Sequence, residues 1–162
     1  MATRILGIDP GSRATGWALV IREGNRYRLE SSGVVRPKQN GNRSLRLADL
    51  ARKLKVIVED LAPDEAAVES SFTGINPKTG IALAESRGVI LAVLGHRGLE
   101  AYSYSPTQVK SAVVGHGRAE KQQIIYMVTR LLKLSESPPS DAADAMAVAI
   151  THLHLSGPQK AR

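Results

Sequence analysis

Two short apolar runs in this chain each end on a carboxylate. Ile5-Leu6-Gly7-Ile8 leads into Asp9, and Ala66-Ala67-Val68 leads into Glu69. Short unbroken apolar runs bounded by turn formers fit strands buried on both faces. Such strands need helices above and below them, which constrains the chain to an α/β sheet fold. A carboxylate at the end of such a strand is costly to desolvate unless something positive binds beside it. Two further carboxylates, Asp141 and Asp144, open a helical pattern in Asp141-Ala142-Ala143-Asp144-Ala145. Their i, i+3 spacing turns both to one side of that helix. Several carboxylates converging on one point are the usual way to hold Mg²⁺ or Mn²⁺, which prefer oxygen ligands. The pattern points to a metal-dependent enzyme acting on a polyanion.

The rest of the pattern extends this frame. Residues 3–9 predict a strand ended by Asp-Pro-Gly turn chemistry, and 14–22 and 26–36 predict two more, joined by a hairpin turn at Gly24-Asn25. From Leu45 apolar residues recur at helical spacing until Pro63 stops them. A short buried strand follows over 65–69, then a loop rich in turn formers from Thr73 to Lys78, and a helix over 79–95. Residues 99–104 alternate as a strand with Tyr102 and Tyr104 on one face. Helices are expected from Pro106 to Gly115, over 119–134 and over 141–155, with Gly115-His116-Gly117-Arg118 as a hinge and Ser137-Pro138-Pro139-Ser140 as a break. An antiparallel meander followed by strands alternating with helices gives a mixed five-stranded sheet flanked by helices. Asp9 and Glu69 then lie on neighbouring central strands. One domain over 1–156 with a flexible tail over 157–162 is expected.

Composition narrows the partners. The chain has 22 Lys and Arg against 15 Asp and Glu, a net charge of +7. With four acids assigned to metal, 15 less four leaves 11 acidic groups against those 22 basic ones. A surface of that kind favours nucleic acid, and after it an anionic membrane. There is no cysteine, which excludes disulfides, thiolate catalysis and Cys-ligated zinc. No signal peptide is visible, and the longest apolar run, near Val89 to Leu94, is far short of the ~20 residues that span a bilayer. A cytoplasmic protein with no membrane role is expected.

Each carboxylate alone has a plainer explanation. Asp-Pro-Gly after a strand is an ordinary turn signature, and an isolated Asp-x-x-Asp after Pro-Pro fits an N-cap and a first-turn acid. Glu69 alone could pair with a lysine. The functional reading rests on all of them falling in one sheet-and-helix arrangement.

At this point the sequence resembles a known family. Leu6-Gly7-Ile8-Asp9-Pro10-Gly11-Ser12 with Thr15-Gly16, Glu69 with Phe72 and Asn76, Arg87-Gly88, and Gln108-Val109-Lys110 with Val113-Val114-Gly115 are similar to the RuvC family of Holliday-junction resolvases. So are Ala119-Glu120-Lys121 and Asp141-Ala142-Ala143-Asp144-Ala145, followed by Ala147-Val148-Ala149-Ile150-Thr151-His152. The resemblance runs from residue 4 to about 154 in the family's order and spacing. It implies an RNase H-like fold and a dimeric, metal-dependent endonuclease that nicks two opposed strands of a four-way DNA junction, leaving ligatable nicks with 5′-phosphates.

The resemblance implies catalytic, metal-holding carboxylates at Asp9, Glu69, Asp141 and Asp144, with two Mg²⁺ (or Mn²⁺) ions per subunit. It implies DNA contacts at Lys110, Lys121 and Phe72, and Arg118 in the glycine hinge joins this set. Paired ions about 3.5–4 Å apart activate a water and stabilise the leaving oxygen in phosphodiester hydrolysis. Phe72 lies three residues beyond Glu69, and an apolar wedge beside a cleavage site has precedent in proteins that distort DNA. The partners implied are four-way junction DNA, a second copy of the chain and a branch-migration motor complex, with the apolar 79–95 helix as the candidate contact between copies. His152 and His154 are two apart on a helix and point in different directions, so a shared metal is not expected.

The chain departs from the family pattern at Ala84-Glu85-Ser86-Arg87-Gly88, where Gly-Gln-Ala-Arg-Gly is usual, and in the loop with Gly74-Ile75 and Pro77. Two rival readings have separate tests. Gly-Ile-Asp-x-Gly also opens actin-like ATPases and sugar kinases, which need two lobes and would turn over ATP. A DNA-architectural module would bind branched DNA without metal-dependent nicking.

Overall fold

The structure, a computed structural model, describes residues 2–70 and 76–156. Three strands open the chain: β1 (Ala2–Asp9), β2 (Thr15–Glu23) and β3 (Arg26–Val35). β2 and β3 turn over at Gly24, whose φ of 60° is the left-handed value that a mirror-image two-residue hairpin turn requires. Helix α1 (Arg43–Leu61) begins at Asn42, whose side chain accepts from the Leu45 amide at 3.1 Å. It stops where Ala62 turns left-handed ahead of Pro63. There follow β4 (Glu65–Glu69), α2 (Pro77–His96), β5 (Ala101–Tyr104), α3 (Pro106–Val114), α4 (Lys121–Leu131) and α5 (Ser140–Leu155).

The sheet order is β3-β2-β1-β4-β5. β1–β2 and β2–β3 pair antiparallel, β1–β4 and β4–β5 parallel. This is the expected mixed five-stranded α/β sheet of the RNase H-like type. One face carries α1 and α2, with Leu50, Leu54, Ile90 and Leu94 packed on Leu6, Ile8 and Leu19. The other carries α3, α4 and α5, with Met146, Ile150 and Leu153 packed on Ile5, Val20 and Ala67. Each fully buried aliphatic side chain contributes about 1.5–3 kcal/mol. The central strands are therefore apolar on both faces, as their sequence requires.

Several boundaries differ from the sequence reading by a few residues, β5 beginning at Ala101 and α4 at Lys121, and two have a clear local cause. α2 begins at Pro77 because Asn76 caps the Thr79 amide at 2.9 Å and proline suits the first helical position. α4 ends at Leu131, before the prolines, because Lys133 adopts a φ of 52°. Phe72, Gly74 and Ile75 lie outside the described residues, as does the 157–162 tail.

Candidate active site

The site is assembled at one end of the sheet. Ile8 is the register partner of Val68 in the parallel β1–β4 pair, so Asp9 and Glu69 leave their strands at the same level. α5 crosses above them. It comes close because the sheet offers no side chain beneath it: a Cβ on Gly7 would stand 2.2 Å from the Ala145 carbonyl oxygen, and one on Gly16 would stand 2.1 Å from that of Asp141. On the helix side the contact is made by Ala145 and Ala149. Small residues on both surfaces therefore bring Asp141 and Asp144 down to Asp9. Asp141 lies in the first turn, but Pro139 holds the N-cap position and no side chain caps the helix. The carboxylates are thus not serving as its cap.

The four acids form one electrostatic unit. The Asp9 carboxyl is pushed up to about 8, first by burial and then by the charges of Glu69, Asp144 and Asp141, with Lys121 opposing. Burial raises Glu69, with Asp144 adding and Lys110 opposing. Burial raises Asp144 too, against the charge and hydrogen bond of Lys121. Among the described residues no three carboxylate or imidazole groups already form a closed metal cage. The two α5 acids face cations from flanking elements. Asp144 Oδ2 lies 3.5 Å from Lys121 Nζ, and Asp141 Oδ2 lies 3.8 Å from Arg36 Nη2.

Beside the acids opens a cleft of about 260 Å³ whose lining includes Glu69, Asp144, Lys110 and Lys121. The two lysines expected from sequence are therefore brought to the carboxylates, Lys110 from α3 and Lys121 from the first residue of α4. Arg118 is exposed on the α3–α4 connection, and Phe72 falls outside the described residues. Sequence reasoning missed Arg36, because nothing in Val35-Arg36-Pro37 signals that the end of β3 meets the start of α5.

His152 sits away from the site. Its Nε2 lies 2.5 Å from Glu65 Oε2 and its Nδ1 lies 2.7 Å from the Tyr104 hydroxyl. It is 1% exposed and stacks on Tyr102. His154 Nδ1 faces the Ala112 carbonyl instead, so the two histidines diverge as expected. The departures at 84–88 are absorbed structurally. Glu85 pairs with Arg43 of α1, Ser86 is buried against the Ala82 carbonyl, and Arg87 donates to the Ser103 hydroxyl at 2.6 Å.

This site can be set beside known proteins. The family described as "Crossover junction endodeoxyribonuclease RuvC" matches residues 5–152. The protein of that name from Azorhizobium caulinodans is 43% identical over 159 residues, 98% of this chain and 94% of the relative. The one from Paramagnetospirillum magneticum is 44% identical over 157 residues, covering 97% and 95%. Among solved structures, Thermus thermophilus RuvC in complex with Holliday junction substrate superposes with a TM-score of 0.88 at 30% identity, covering 95% of this chain and 94% of that one. With its mixed sheet, its strand-end acids and these matches along almost its whole length, the chain belongs to the RuvC family of crossover junction endodeoxyribonucleases.

Proposed function

We propose that this chain resolves four-way DNA junctions by metal-dependent phosphodiester hydrolysis at Asp9, Glu69, Asp141 and Asp144. Family membership carries the activity, that of a crossover junction endodeoxyribonuclease. The T. thermophilus relative was solved with Holliday junction substrate, and the same substrate is proposed here.

One observation carries the site assignment. Asp9 holds its proton up to about 8 because burial and three neighbouring acids oppose its charge, so four ionised carboxylates need added positive charge. A donor set made only of carboxylate oxygens fits a hard divalent cation, Mg²⁺ with Mn²⁺ as substitute. Two such ions match the charge of the four acids, and Asp9, Glu69, Asp141 and Asp144 would hold them. When bound, such ions polarise the scissile phosphate and ease deprotonation of the attacking water.

The chain's own residues bind and orient the strand. Lys110 and Lys121 wall the cleft beside Glu69 and Asp144, where their ammonium groups meet backbone phosphate oxygens. Arg118, exposed on the α3–α4 connection, extends the contact, and Phe72 is proposed as a further DNA contact on its motif with Glu69 alone. Asp9 and Glu69 are fixed at strand ends, and the α5 acids, which face Lys121 and Arg36, would turn from those cations to hold the metal.

Paired cuts on opposed strands call for two sites related by a two-fold axis. We assign the homodimer contact to α2. A groove of about 540 Å³ between α1 and α2 has an apolar floor of Ala51, Val89, Ala92 and Val93 edged by basic residues, Arg52 and Arg97 among them, and Ile81 of α2 is exposed. A branch-migration motor complex is proposed as the other partner. The cytoplasm is proposed as the place of action, and among the described residues no helix is long and apolar enough to cross a membrane.

The test is cleavage of a mobile synthetic four-way junction against a linear duplex of the same sequence, with and without Mg²⁺. Paired symmetric nicks on the junction alone, absent without metal and absent from Asp141→Asn while junction binding persists, are expected. Tight junction binding without nicks in Mg²⁺ or Mn²⁺ would overturn the carboxylate assignment and leave an architectural DNA-binding role.

A further inference from the structure

The two acids of α5 are one helical turn apart, and each faces a cation from an opposite flank. On one side stands Lys121 at the start of α4, 3.5 Å from Asp144; on the other stands Arg36 at the end of β3, 3.8 Å from Asp141. We infer that Arg36 is a substrate-binding residue that holds a backbone phosphate of the DNA strand on the Asp141 flank, opposite Lys110 and Lys121. The inference rests on the proposed nuclease site and extends it to a side that the sequence motifs do not mark.

Three features support a role toward substrate rather than toward stability. The pair is loose and open, with the Arg36 side chain 66% exposed and Asp141 48% exposed. Exposed pairs of that kind contribute about 0–1 kcal/mol to folding. The backbone beneath Arg36, in contrast, is fixed. Its carbonyl accepts from Lys53 Nζ at 2.8 Å, the Lys38 amide donates to Asp49 Oδ2 at 2.9 Å, and Pro37 between them is buried. A solvent-exposed guanidinium on a fixed base, next to a reacting phosphodiester, is suited to bidentate phosphate contact.

The surface also continues away from the site. A groove of about 480 Å³ runs from Arg36 between the end of β3 and α1, past Arg52, Lys53, Val56 and Ile57. Arg52 and Lys53 share a single acid, Asp49, at 2.7 and 2.8 Å. With Arg36 the rim therefore carries net positive charge, complementary to a polyanionic strand leaving the cleft. A strand crossing the acids then meets cations on both sides, which centres the scissile phosphate over Asp9.

The experiment measures junction affinity by fluorescence anisotropy across a salt series, in Ca²⁺ to suppress cutting. Wild type is compared with Arg36→Gln, Arg36→Lys and Arg26→Gln. Arg26 is an exposed cation at the far end of the same strand. Arg36→Gln is expected to weaken binding about 3–10-fold at moderate salt and to reduce the slope of log K against log salt by about one per subunit. Arg36→Lys is expected to keep the slope, and Arg26→Gln to match wild type. Thermal melting of Arg36→Gln is expected to stay at the wild-type value, because the pair contributes little to folding. If wild type cuts junctions while Arg36→Gln retains its full affinity and slope, the Arg36 inference fails and the nuclease reading stands. If wild type neither binds nor cuts junctions, the nuclease reading itself fails.

Discussion

Neutralising Asp9 should stabilise the protein in the absence of divalent metal. The Asp9 carboxyl is pushed from 3.8 to about 8 by burial and by Glu69, Asp144 and Asp141. A carboxyl whose folded pKa is raised favours the folded state below its unfolded value and loses that contribution as pH rises through the folded one. Between pH 3.8 and neutrality the lost stability accumulates at about 1.36 kcal/mol per pH unit, a ceiling of about 4 kcal/mol. Water entry and side-chain movement recover part of this, leaving about 2 kcal/mol as the expected observable. Asn keeps the shape of Asp and removes the titration.

For a chain of this size each kcal/mol moves Tm by about 2–4 °C. Asp9→Asn in chelator near neutral pH is therefore expected to melt about 4–8 °C above wild type. Near pH 4 the two proteins should melt together, since Asp9 is then protonated in the fold. Adding Mg²⁺ should raise wild-type Tm by linkage to binding and should raise that of Asp9→Asn much less, so the order narrows or reverses. Differential scanning fluorimetry across this pH and metal grid reads all three. An Asp9→Asn protein that melts below wild type in chelator, or a difference that does not change with pH, would refute a strained carboxylate cluster at this position.

The remaining predictions follow from packing and from a second titrating group. Gly16→Ala places a Cβ against the Asp141 carbonyl, so α5 must lift; a loss of about 1–3 kcal/mol is expected, with junction cleavage falling more than junction binding, read by melting and nicking assays. His152→Ala leaves the Tyr104 hydroxyl and Glu65 without the imidazole between them. It should cost about 3 kcal/mol, against about 1 kcal/mol for Tyr104→Phe, both measured by denaturant unfolding. Asp49 is held well below the usual carboxylate range, first by its hydrogen bond from Lys53, then by the Lys38 amide and Arg52. A depressed folded pKa gives stability that is present above the unfolded value and lost as pH falls through the folded one. Asp49→Asn should thus be less stable than wild type at neutral pH and converge with it in strong acid, as followed by melting.

What the sequence made legible and what it hid divide along a physical line. Strands β1 and β4 announce themselves because burial on both faces leaves only apolar residues, and a carboxylate ending each run is visible against that background. Asp141 and Asp144 are visible because helical spacing is local. The glycines at 7 and 16 also sit in the chain in plain view, yet their purpose is a contact with Asp141 and Ala145 more than a hundred positions away, and no local signal carries that. Arg36 was hidden for the same reason: its meaning lies in the meeting of the β3 end with the α5 start, which the sheet order β3-β2-β1 and the crossing of α5 create together. Glu65, Tyr104 and His152 likewise lie on three different elements, and only folding joins them. The helix ends depend on finer chemistry, a side-chain cap at Asn76 and a left-handed Lys133. The four acids proposed as catalytic were legible because their constraint is one of type, a charge where burial demands none. Residues proposed to serve the substrate around them are constrained by place, and their place exists only in the folded chain.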